Sequence, residues 1–160
     1  MRLSRYGLHL EVPAGWEARI YRRAPADPGE LSYPVMHLAT VPLPAVRGDY
    51  GGGVIEHLGS EDVFISMLEF GAAVADEGLF AHQGVPPLRP SQFGTGRLPH
   101  VQADVSAVQH FFSDAGRAFC LYVVVGSDGR RMATVPKAET ALSGLTIRPA
   151  MTARSTGALT

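Results

Sequence analysis

The sequence predicts an α+β domain, a mainly antiparallel β-sheet flanked by helices, and three stretches carry that prediction. From Val101 to Phe112 the side chains alternate, with Val101, Ala103, Val105 and Ala107 on one face and Gln102, Asp104 and Ser106 on the other. A period of two marks a half-buried strand. From Arg117 to Gly126 both faces are apolar and dense in β-branched and aromatic residues, as in a strand covered on both sides. Between them Ser113-Asp114-Ala115-Gly116 makes a turn in which Gly116 takes a positive φ, so the two stretches read as a long hairpin at the middle of a sheet. The third stretch holds Val135, Ala138, Leu142 and Leu145, which recur at helical spacing opposite Lys137, Thr140 and Ser143.

The remaining elements follow in order. Leu8, Leu10 and Val12 alternate with His9 and Glu11 in a strand over Gly7–Val12. Pro13-Ala14-Gly15 turns the chain, and Trp16–Tyr21 returns as a second strand, giving an N-terminal hairpin. Arg22–Pro34, with three prolines and a glycine, is a loop. Val35–Val41 is a third strand, ended by Pro42 and Pro44, which lack ladder donors. Arg47–Gly53 is a second loop, and Glu61–Phe70 a fourth strand rich in Val, Phe and Ile. Ala72–Leu79 reads as a short helix between Gly71 and Gly78, and Phe80–Pro99 as a long irregular connection, unusual in a compact domain. Ser127–Arg131 is a polar turn. The last helix runs from about Pro136 to Ser143, with Thr134 as N-cap, Pro136 in the first turn and Gly144 closing it. Thr146-Ile147 adds a final short strand. Residues 1–148 are expected to form one domain and 149–160 a disordered tail.

Composition narrows the function classes. An apolar fraction of 46% and a charged fraction of 18% over 160 residues fit a folded domain rather than a disordered chain. The net charge of -1 provides no field to attract nucleic acid, and Arg22-Arg23 and Arg130-Arg131 are short basic pairs without interleaved aromatics. The single cysteine, Cys120, excludes an internal disulfide framework and a multi-cysteine zinc site. No stretch reaches the length of a membrane span or of a signal-peptide core, so the expectation is a cytoplasmic protein without membrane insertion.

Four residues are candidates for chemistry. Counted back from the turn, His110 and Cys120 are near-neighbours across the predicted hairpin, without the count requiring that they share a face, and a Cys–His pair can generate a thiolate nucleophile. Against this, Cys120 is flanked by Phe119, Leu121 and Tyr122, where a cysteine behaves as a small hydrophobe. His9 and Glu11, two apart on one strand face, can form a histidine–carboxylate pair, although outward strand positions are polar by default. Gly51-Gly52-Gly53 lacks the Lys-Ser/Thr of a phosphate loop. Asp62, Glu69, Asp76 and Glu77 match no general-acid pattern, and such carboxylates usually face solvent. No histidine pair has metal-ligand spacing on a helix, so neither metal nor cofactor is expected.

Two segments resemble one family. Leu8-His-Leu-Glu-Val-Pro-Ala-Gly-Trp16 resembles the strand and Pro-x-Gly-Trp opening of small proteins sharing the fold of the photosystem extrinsic protein PsbP and the Ran-binding Mog protein. Ala138-Glu-Thr-Ala-Leu-Ser-Gly-Leu-Thr-Ile147 is similar to that family's terminal helix and short closing strand. Asp49-Tyr-Gly-Gly-Gly53 and Phe111-Phe112 look like a group of small uncharacterised bacterial proteins. The resemblance implies an α/β/α sandwich used as a binding or accessory module, with no catalytic residues and no cofactor; it does not extend over Phe80–Pro99.

Two functional readings follow. One is a non-enzymatic module that binds a protein partner or a second copy of itself as a homodimer, through a sheet edge or the loops at Arg22–Pro34 and Phe80–Pro99. The other is a small-molecule-binding protein or hydrolase with a pocket between sheet and loops, using His110, Cys120 or the His9/Glu11 pair.

Overall fold

Eight strands pair into two antiparallel sheets in the computed structural model, which describes residues 1–25, 27–95 and 104–150. The smaller sheet has the order β1-β2-β8, from β1 (Arg2–Arg5), β2 (Leu8–Glu11) and β8 (Leu145–Ile147). The larger has the order β3-β4-β5-β7-β6, from β3 (Glu17–Arg22), β4 (Pro34–Ala39), β5 (Val63–Gly71), β6 (Ser106–Asp114) and β7 (Arg117–Val125). The α+β class and the antiparallel sheet are as the sequence predicts.

The hairpin of β6 and β7 forms with Asp114 opposite Arg117. Its loop is only Ala115-Gly116, both at positive φ (52° and 74°), the twist that suits a two-residue hairpin. The hairpin does not sit at the middle of the sheet: β7 is interior and β6 is the edge. β6 also starts at Ser106, after Asp104 at φ 74°, while Val101, Gln102 and Ala103 lie outside the described residues.

The predicted N-terminal hairpin is not formed. β2 pairs instead with β1, which the sequence reading overlooked, through the two-residue turn Tyr6-Gly7, and on its other side with β8. Pro13–Gly15 therefore carries the chain from one sheet to the other, and β3 pairs only with β4. Ala72–Leu79 is not a helix. It is a run of turns ending in a 3-10 turn at Gly78–Phe80, because the six residues between Gly71 and Gly78 cannot sustain a helix alone; Ala75 and Phe80 pin it against Ala118. The helix α1 (Arg131–Leu142) begins five residues before the predicted start. Thr134 is inside it, returning its hydroxyl to the Arg130 carbonyl at 3.2 Å. Pro136 is its sixth residue, where the missing N–H withholds one bond from Met132.

The main core lies between one face of the large sheet and a layer made of β2, β8 and α1. Leu8, Leu10, Ile147, Ala138 and Leu142 meet Met36, Ile65, Phe119 and Leu121 there. The opposite face is covered by loops, with Leu43 and Val54 packed over Phe64 and Val124. Among the described residues α1 is the one α-helix, so helices do not flank both faces of the sheet.

The long connection after Phe80 has a structural task. Its described part runs along the outer edge of β6: Ser113 N–H donates to the His82 carbonyl (2.8 Å), Gly84 N–H to the Ser113 carbonyl (2.7 Å), and Gly94 and Ala107 exchange two bonds (3.1 and 3.0 Å). The other edge is blunted by arginines, since Arg19 Nη1 donates to Ala18 O (2.8 Å) and Arg5 Nη1 to Ile20 O (3.3 Å). Covering unpaired backbone groups in this way discourages edge-to-edge association. The amides of Ala107 and Ser113 are expected to exchange with deuterium as slowly as those of β7, and those of Gln109 and Phe111, on the same edge between the two bridges, faster. Uniform fast exchange along β6 by NMR would contradict this arrangement.

Candidate functional site

The sequence-predicted candidates do not converge. On the β6–β7 ladder Cys120 is opposite Phe111 and His110 opposite Leu121. Successive side chains alternate between faces, so the thiol and the imidazole point to opposite sides of the sheet. His110 donates from Nε2 to Gln92 Oε1 (3.3 Å) on the core-facing side, whereas Cys120 Sγ accepts from Gln109 Nε2 (3.2 Å) on the other. Burial raises the Cys120 thiol pKa, which disfavours the thiolate. His9 and Glu11 do share the outer face of β2, yet each turns to its own partner on β1: His9 Nδ1 lies 2.8 Å from Ser4 Oγ, and Glu11 accepts from Arg2 Nε at 2.7 Å.

Two clusters that the sequence reading passed over are built more tightly. The first joins the Arg47–Gly53 loop to the sheet. His37, fully buried on β4, donates from Nε2 to the Asp49 carbonyl (2.8 Å) and accepts at Nδ1 from Arg47 Nε (2.7 Å). These partners fix the tautomer, because a carbonyl only accepts and a guanidinium only donates. Ser66 Oγ donates to the same carbonyl (2.5 Å), and Tyr21 OH to Asp49 Oδ1 (2.6 Å). Gly51 lets the loop lie this close: its φ is 96°, and a Cβ there would sit 2.6 Å from the Phe64 ring. The triple glycine is thus a packing device. Every polar atom of His37 is committed, so the cluster anchors a loop and offers no free base.

Burial pushes the His37 pKa down to about 4, with the Arg47 charge acting in the same direction. An unfolded histidine titrates near 6.5. Between about pH 6.5 and 4 the unfolded chain therefore binds a proton that the folded chain refuses, and stability falls as pH falls through that window. The ceiling on this contribution is about 3 kcal/mol. An NMR titration should find the His37 ring neutral, with the proton on Nε2, down to about pH 5; a midpoint near 6.5 would refute the account.

The second cluster forms the floor of a cleft of about 770 Å³ between the end of the large sheet, the β1–β2 turn and the loop after β3. Glu69 and Arg117 are 4% and 2% exposed. Arg117 Nε donates to Glu69 Oε2 at 3.2 Å and Nη2 to Oε1, a two-pronged pair. Arg117 also donates to the carbonyls of Arg148 (2.8 Å) and Tyr6 (3.0 Å). Gly7 leaves room for it, since a Cβ there would meet Nη1 at 2.8 Å. Tyr6, Arg22, Leu31, Tyr33 and Ala73 wall the cleft. The expectation that Glu69 faces solvent is therefore corrected. The signal was its place on the core-facing parity of β5 after Val63, Ile65 and Met67.

The chain matches no family model, no curated protein and no solved structure with which it was compared.

Cys120, at 0% exposure, is expected to react slowly with a thiol reagent under native conditions and rapidly once unfolded. Cys120→Ala should cost about 1 kcal/mol through lost packing. Fast native labelling would show that the sheet face is open to solvent.

Proposed function

We propose that this domain binds a ligand without transforming it, and that the ligand sits in the cleft over Glu69 and Arg117. One observation carries the reading: a cleft of about 770 Å³ sets Tyr6, Leu31, Tyr33 and Ala73 over the buried Arg117–Glu69 pair, with charged groups at its rim, the usual make-up of a binding pocket. The arrangement of the candidate chemistry agrees with it, because His110 and Cys120 face opposite sides of the sheet and His37 is saturated. The loop at Arg22–Pro34, nominated from its prolines as a binding loop, supplies Leu31 and Tyr33 to the cleft wall.

A relationship to the PsbP/Mog fold belongs to the same proposal. The two segments that carry the resemblance become neighbours, since β2 pairs with β8 through Leu8–Ile147 and Leu10–Leu145. Cytoplasmic location is likewise proposed; no helix among the described residues is long and apolar enough to cross a membrane. A second reading, docking of a protein or a second copy of the chain, is favoured by Leu31, which stands 75% exposed on the cleft loop. It would use loop surface, because bonds from Arg5 and Arg19 on one side and the Phe80–Thr95 connection on the other blunt the sheet edges. Light scattering after size exclusion tests self-association, and a monomer at every concentration would remove it.

The cleft itself is tested with N-phenyl-1-naphthylamine, an uncharged apolar fluorophore. Its emission should rise on adding native protein and saturate at one site. Ala73→Trp, which fills the cleft from an exposed position, should abolish the rise while leaving the melting temperature unchanged. Absence of binding, or equal binding by the filled variant, would overturn the proposal.

A further inference from the structure

The arginines of this chain are not all treated alike. On the surface Arg2, Arg19, Arg23, Arg130 and Arg131 each lie beside a carboxylate. Around the Tyr6-Gly7 turn the pattern changes. Arg22 lies over the Tyr6 ring at 4.5 Å and Arg5 at 4.8 Å, and neither makes an ion pair among the described residues. Two carboxylates line the cleft with Arg22: Glu69, which is paired with Arg117, and Glu30.

Stacking on a ring holds a guanidinium in place by its face and leaves its in-plane N–H groups available. A carboxylate, phosphate or sulfonate is the partner that matches such a fork of donors. Little side-chain entropy is left to lose on binding, since the tyrosine already restricts both arginines. Arg22 lines the cleft and Tyr6 forms part of its wall, so a stacked guanidinium stands beside the apolar side chains Leu31, Tyr33 and Ala73, above the Arg117–Glu69 floor.

We infer that the cleft selects an anionic amphiphile, a small molecule whose acidic group meets Arg22 at the Tyr6 rim while its apolar body lies against Tyr33 and Ala73. This rests on the binding role proposed above and specifies the ligand class. A free organic acid, a phosphate monoester and a single-chain lipid share this chemistry; competition by decanoate and by phenyl phosphate against the probe distinguishes long-chain from compact sources.

The test compares two fluorophores with one aromatic body, 8-anilinonaphthalene-1-sulfonate and N-phenyl-1-naphthylamine, of which only the first is charged. The sulfonate should bind more tightly, and its affinity should fall with added salt. Arg22→Gln, at an exposed position, should leave the melting temperature unchanged, weaken the sulfonate about tenfold or more and spare the neutral probe. Ala73→Trp should block both probes. Equal binding of the two probes, or a sulfonate affinity indifferent to Arg22→Gln and to salt, would overturn the inference while leaving the cleft as a binding site. Loss of neither probe in Ala73→Trp, or binding of neither to the native protein, would remove the cleft and the inference together.

Discussion

The ion pair between Arg117 and Glu69 is the contact on which the assembly of two sheets depends. Both groups are almost wholly out of water, so each has lost hydration that their mutual attraction must offset. The geometry shows how. Two parallel bonds satisfy the carboxylate, and two backbone carbonyls from Tyr6 and Arg148 accept further N–H groups of Arg117, so four of its five donors are used. Those partners belong to β5, to the β1–β2 turn and to the segment after β8. One side chain on β7 thereby ties the small sheet to the end of the large one. Removing either partner of such a pair leaves a bare buried charge, a loss of about 3–5 kcal/mol, a sizeable part of the stability of a domain this size.

Much of the fold was legible because it rests on local patterns. The alternation before Gly116 and the apolar run after it locate β6 and β7, and the spacing of Ala138 and Leu142 puts α1 on the core. What was not legible is pairing. Nothing local distinguishes Pro13–Gly15 as a hairpin turn from the same residues as a corner between sheets, and only the long-range match of β2 with β8 decides it. β1 escaped because four residues with three polar side chains, Arg2, Ser4 and Arg5, carry little hydrophobic signal; the Tyr6-Gly7 turn was its real marker. The site was more legible than the reading made of it. Glu69 and Arg117 fall on the inward parity of two apolar strands, where a charge implies a buried partner, and the two strands are neighbours.

The loops obey the same logic of satisfaction. A five-stranded sheet exposes two rows of backbone groups at its edges, and here one row meets His82, Gly84 and Gly94 while Arg5 and Arg19 bond to carbonyls of the other. The length of the connection after Phe80, out of proportion for a link between two strands, is explained by the strand it has to cover. The Arg47–Gly53 loop is held by a histidine whose two nitrogens are bonded to that loop itself. Both loops are parts of the sheet's architecture, which leaves the segment after β3 as the one whose exposed Leu31 and half-buried Tyr33 have room for something else.

The two buried polar clusters also differ in what they leave over, and that difference separates structure from recognition. Around His37 both ring nitrogens find partners within the chain, and the aromatic neighbours Tyr21 and Phe64 close over the ring. Such a site is complete. Around Arg117 the floor is satisfied, and at the rim Arg22 stacks on the Tyr6 ring and makes no ion pair among the described residues. On the binding role proposed above, that guanidinium is the group that would meet an anion with an apolar body. The fold thus places one buried polar cluster under a loop and the other at the floor of the cleft.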